Sequence, residues 1–151
     1  CLKEVNEFDK WHDEKCKDLT KKAKEILNDT KSGEKPGFTY GVAAKLLNCY
    51  LKTIFVTQFI DSLSATEKEK VSVIHPPIDR LLINSIKNKL HLIYADTEME
   101  EKRKFWNSKD IQSWSLYEAR DYKKVIGEIK QIQKKRNQPL WMIEAYWPGH
   151  Q

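Results

Sequence analysis

Between Phe38 and Ile60, apolar side chains fall on almost every side of a helix. Val42, Ala43, Leu46, Leu47, Tyr50, Leu51, Ile54, Phe55 and Phe59 recur at helical spacings and cover most of the circumference. Such a pattern predicts a central helix with others packed round it. No apolar run approaches the roughly 20 residues that span a bilayer, so no membrane partner is expected.

The flanking segments also read as helix. Residues 2–28 carry Phe8, Trp11, Leu19, Ala23 and Ile26 among many charges, and the 30–37 stretch, with Gly33, Pro36 and Gly37, is the clearest loop. Ser64 with Glu67 fits a capping box for a short helix. Val71 to Ile74 reads as a brief strand or an extended lead-in, and Pro76-Pro77 enforces extended backbone before a helix from Ile78 to Ile93. That helix has Leu81, Leu82, Ile86, Leu90 and Ile93 on its inner side. The charged stretch from Asp96 to Lys104 reads as a solvated link. A second box, Ser115 with Glu118, opens a helix to Arg136 with Tyr122, Val125, Ile126, Ile129 and Ile132 at core spacing, and Pro139 opens a last helix. The expectation is an all-α fold, one domain over residues 1–151, with six or seven helices.

Charge and cysteines bound the function. Lys and Arg number 27 against 22 Asp and Glu, a formal +5 that suits a polyanionic partner. Cys1, Cys16 and Cys49 form no CxxC pair, and the four histidines lack metal-ligand spacing. No metal and no cofactor is therefore expected. The reduced cysteines and the charged start, Cys1-Leu2-Lys3-Glu4, give a cytoplasmic expectation.

Three strings stand out: Pro36-Gly37, Gly41-Val42-Ala43-Ala44-Lys45-Leu46-Leu47-Asn48, and Pro77-Ile78-Asp79-Arg80. Together they resemble the helix-hairpin-helix DNA glycosylases of the endonuclease III superfamily. The chain also resembles uncharacterised prokaryotic proteins that share a YGxAxK…PID pattern and a tryptophan-rich C-terminus. The first resemblance implies a helix-hairpin-helix-like fold and a nucleic-acid partner, DNA foremost. It further implies Lys45 as Schiff-base nucleophile and Asp79 as assisting carboxylate, with the Pro36–Gly41 turn, Gly37 and Gly41 in it, holding a phosphate through backbone amides. Two departures are plain: Phe38-Thr39-Tyr40 separates the glycines, and no cysteine cluster for an iron–sulfur centre is present.

From the residues themselves, His75 is a candidate acid, base or base-edge contact beside Lys45 and Asp79. Tyr40, Arg80, Lys134, Lys135 and Arg136 are candidate nucleic-acid contacts, as aromatic and basic side chains that stack on bases and meet phosphates. Each has a structural alternative: a packed lysine stem for Lys45, a helix cap for Asp79, a turn for His75, a solvated face for the basic run. The competing function is a non-catalytic helical interaction module, since no P-loop, GxSxG or HExxH motif is present.

Overall fold

On the first helix, α1 (Val5–Leu27), Phe8, His12 and Cys16 recur every fourth residue and are the buried positions among its described side chains. The inner line of α1 therefore runs through a histidine and a cysteine. Leu19 and Ile26, apolar residues at helical spacing in the sequence, fall off that line and are exposed.

A computed structural model describes residues 5–27, 37–58 and 60–146. Within them, every regular element is helical and none is a strand, as the composition and periodicity led one to expect. The helices are α2 (Tyr40–Leu51), α3 (Ala65–Val71), α4 (Arg80–Asn88), α5 (Leu90–Ile93), α6 (Asp96–Asn107), α7 (Lys109–Gln112) and α8 (Ala119–Arg136). A π-helical turn, Lys52–Thr57, continues α2, and 3-10 turns occupy Ile60–Ser62, Trp114–Leu116 and Leu140–Tyr146.

The helix α2 packs against α1, the 114–116 turn and α8. Its inner face is made of small or polar residues: Gly41, Ala43, Ala44 and Asn48 are buried, with Tyr40 and Leu51 at the ends. Its apolar circumference is not buried all round. Leu46 and Tyr50, four residues apart on one ridge, are 54% and 63% exposed. The large side chains face water because the small ones allow close approach on the opposite side.

Several local readings are revised. The Ser64–Glu67 capping box forms, with the Glu67 carboxylate accepting from the Ser64 amide at 2.9 Å. The Ser115–Glu118 box does not, because Ser115 lies in the 3-10 turn and its carbonyl accepts the Thr39 hydroxyl at 2.6 Å. The Asp96–Lys104 segment is helix, not link. Acidic residues in the first turn of α6 and Lys104 in the last suit the helix macrodipole, and Trp106 anchors its end in the core. The 78–93 helix breaks at Lys89, starts at Arg80, and buries Ile83 where Leu81 was expected. Val71 belongs to α3, not to a strand. Beyond α8, Asn137 adopts a left-handed conformation (φ 52°) that stops the helix, and the last segment is 3-10. Pro36, Phe59 and Trp147 lie outside the described residues.

The core divides in two. The larger cluster joins α4, α8 and Trp106; the smaller gathers Phe8, Leu51, Val56, Val71 and Ile74. Two glycines in helices differ sharply. A Cβ on Gly41 would lie 2.1 Å from the Trp114 carbonyl oxygen, whereas one on Gly127 in α8 meets nothing within 4 Å. In urea unfolding, Gly41→Ala is expected to cost roughly 1–3 kcal/mol or more through overpacking. Gly127→Ala is expected to gain about 0.5–1 kcal/mol of stability. A neutral Gly41→Ala would contradict the packing described.

Candidate functional site

The structure brings Lys45 and Asp79 together. The Lys45 Nζ lies 3.1 Å from Asp79 Oδ2 and 4.7 Å from the Trp114 ring centroid. Asp79 also caps α4, its Oδ1 accepting the Leu82 N–H at 2.9 Å. The other sequence candidates are dispersed. Gly41 donates its amide to the Tyr117 carbonyl at 3.0 Å, and the next two amides are taken by Thr39. Those three amides are thus occupied within the protein, and the close approach to Trp114 is the physical reason for glycine at 41. Gly37 is exposed outside any helix, Arg80 is exposed on the first turn of α4, and Tyr40 is buried. Lys134, Lys135 and Arg136 are exposed on the last turn of α8. Of these, Lys135 meets Glu98 at 3.0 Å and Arg136 lies over the Tyr146 ring.

His75 enters a different set of contacts. It lies between α3 and α4, 3% exposed, among side chains from α1, α2 and α8. Asn48 organises this set. Its Nδ2 donates to the Pro76 carbonyl and to the Tyr122 hydroxyl, both at 2.9 Å, so its Oδ1 is the acceptor for His12 Nε2 at 2.7 Å. His12 therefore carries its proton on Nε2. Tyr122, accepting from Asn48, gives its own proton to His75 Nδ1 at 3.0 Å. His75 in turn keeps its proton on Nε2 and donates it to Asp9 Oδ1 at 2.9 Å. Asp9 Oδ2 receives Lys130. Cys16, 3.6 Å from His12 Nδ1, heads a chain in which every donor points the same way, from α1 through α2 and α8 to the 75–76 segment and back to α1.

Burial sets the protonation of these groups. It drives His12 down to about 3; the nearby His75 lowers it further and the Asn48 bond offsets only part. His75 is held low mainly by burial, against the bond and charge of Asp9. Burial alone would raise Asp9, but bonds from His75 and Lys130 outweigh it and keep the carboxylate below its ordinary range. Asp13 follows the same logic and falls to about 2, bonded by Lys17, Lys123 and Tyr40. Burial raises Tyr122 well above the ordinary phenol value and pushes the Cys16 thiol up to about 12. Both imidazoles are accordingly neutral at pH 7.

The rings pack on one another, with His12 parallel to Tyr122 within 8° and 4.7 Å from His75 by centroids. Above them lies a cavity of about 210 Å³ between α1 and α8. Two ion pairs border it, Lys123 with Asp13 at 3.0 Å and Lys130 with Asp9, and Gly127 lines it between the two lysines. Among the described residues, no group of three or more His, Cys, Asp or Glu side chains is placed to hold a metal ion. No described helix is long and apolar enough to cross a membrane.

Asp9, His12, Asn48 and Tyr122 escaped the sequence reading as site residues. Two signals were present: the four-residue step Phe8–His12–Cys16, and a single asparagine inside the apolar pattern of α2. A scan against protein-family models and searches of curated proteins and of solved structures return no match.

The folded His12 titrates near 3, below the 6.5 of an ordinary imidazole, so the unfolded chain takes up the proton first as pH falls. The stability that neutral His12 confers is complete above about pH 6.5 and is lost progressively toward pH 3, at about 1.4 kcal/mol per pH unit. His75 shifts in the same direction and steepens the loss. Urea unfolding between pH 7 and pH 4 should show this decline, and a flat profile would contradict the assigned neutral pair.

Proposed function

We propose that this chain binds nucleic acid through its phosphates along the outer face of α8. One observation carries the reading. The helix α8 holds seven Lys and Arg against two Asp and Glu, which equals the formal +5 of the whole chain. Arg120, Lys123, Lys124, Lys134, Lys135 and Arg136 are exposed. Neither carboxylate of α8 is fully exposed: Glu128 is buried against Tyr94 and Lys102, and Asp121 is partly covered beside Lys124. The ion pairs of Lys123 and Lys135 are more than half exposed at the lysine, and such pairs are worth about 0–1 kcal/mol, so a phosphate can replace the carboxylate.

Phosphate contacts make affinity depend on salt with a log–log slope near −0.9 per phosphate on duplex DNA. Six exposed cations lead to a slope of roughly −3 to −5. Changing Lys134 and Lys135 together to Gln should lower its magnitude by roughly 1–2 with little sequence dependence. Fluorescence anisotropy across a salt series reads this directly, and absence of binding to single- and double-stranded DNA or RNA at low salt would refute the reading.

A catalytic reading has one contact in its favour, the 3.1 Å approach of Lys45 Nζ to Asp79 Oδ2. A lysine that attacks the sugar C1′ of an abasic site needs a neighbouring proton acceptor, and the contact with Asp79 supports that role for its carboxylate. Borohydride should then trap a covalent adduct between the protein and abasic DNA, and Lys45→Gln should abolish it. Failure of the unaltered protein to form an adduct would remove the lyase reading and leave the phosphate-binding one.

A further inference from the structure

We propose that the cavity beside Gly127 receives one unstacked nucleobase of a strand whose phosphates lie on α8, an inference that rests on the α8 reading above. Position is the first argument. Lys123 and Lys130, which border the cavity, stand one heptad apart on α8 with Gly127 between them. The mouth of the cavity therefore opens between α1 and the basic side of α8.

Gly127 is the second argument. Glycine weakens a helix interior, and here packing does not require it, because an added Cβ meets no atom within 4 Å. What the missing side chain preserves is room. The cavity, about 210 Å³, is smaller than the roughly 300–1,000 Å³ pockets of drug-sized ligands, so a single ring system suits it.

The lining supplies the chemistry. Tyr40, Tyr122, His12 and His75 line the floor as buried rings packed on one another, with neutral imidazoles, so a base there meets an uncharged aromatic surface. At the rim, Asp9 and Asp13 are bonded by Lys130 and Lys123. When those lysines turn to phosphates, Asp9 stays held by His75 and Asp13 by Tyr40 and Lys17, and each carboxylate gains a lone pair to accept a hydrogen bond from a base. Guanine offers two adjacent donors, N1–H and N2–H, to one carboxylate, whereas thymine offers only one ring N–H. The pocket accordingly favours guanine over thymine, and either over no base.

The test uses the full chain and short oligothymidine strands whose central position is guanine, thymine or an abasic site, followed by fluorescence anisotropy at low salt. The strand with guanine should bind roughly tenfold more tightly than the abasic strand. Gly127→Leu, which puts a good helix former in place of glycine and fills the cavity, should bring that ratio close to one, with circular dichroism checking the fold. Equal affinities for the three strands with the unaltered protein overturn the base pocket and leave the α8 reading standing; this comparison needs no variant. A ratio that survives Gly127→Leu overturns the assignment to this cavity. If none of the strands binds, the α8 reading has failed and the pocket falls with it.

Discussion

Asn48 is the group on which the assembly of the chain depends. Its carboxamide meets His12 on α1, Tyr122 on α8 and the Pro76 carbonyl ahead of α4, while its own backbone belongs to α2. All of these atoms are buried, where an unpaired polar group costs about 1–3 kcal/mol. A shift of any one element would strand several partners at once, so the network favours a single arrangement of helices over others that bury equal apolar area. The small residues Ala43 and Ala44 are equally part of this arrangement, because they let α2 approach closely enough for its one asparagine to reach three neighbours.

A second buried chain explains why α8 is so basic outside. The Trp106 indole donates to Tyr94 at 3.1 Å, Tyr94 donates to Glu128 at 2.8 Å, and Lys102 from α6 neutralises that carboxylate at 2.9 Å. The inward acid of α8 is thus balanced by a lysine from another helix. Its outer lysines and arginines face solvent, several of them in ion pairs at the surface. The buried apolar residues of α8 and its net +5 charge consequently occupy opposite sides of the same helix.

What could be read from residue order was whatever depends on neighbours along the chain. The core positions Tyr122, Val125, Ile126, Ile129 and Ile132 follow from helical spacing and are all buried. The Ser64–Glu67 cap follows from a three-residue step. The segment 96–104 was misread because its charges look solvated, while the residue that anchors it, Trp106, lies just beyond. The candidate site was least legible. His12 and Asn48 are 36 residues apart, and Asn48 and Tyr122 are 74 apart, so no local period links them. His75 and Tyr40 were singled out for other reasons, and the structure places both beside groups that sequence treated as ordinary.

The central claim is that His12 and His75 are neutral at pH 7 with their protons on Nε2, the only tautomers compatible with a chain whose donors all point one way. Long-range proton–nitrogen correlation spectra of the imidazole rings at neutral pH measure this directly. The account predicts two buried histidines in the neutral Nε2–H form. A proton on Nδ1 of either ring, or a charged imidazolium at either position, would reverse the direction of the network and contradict the account.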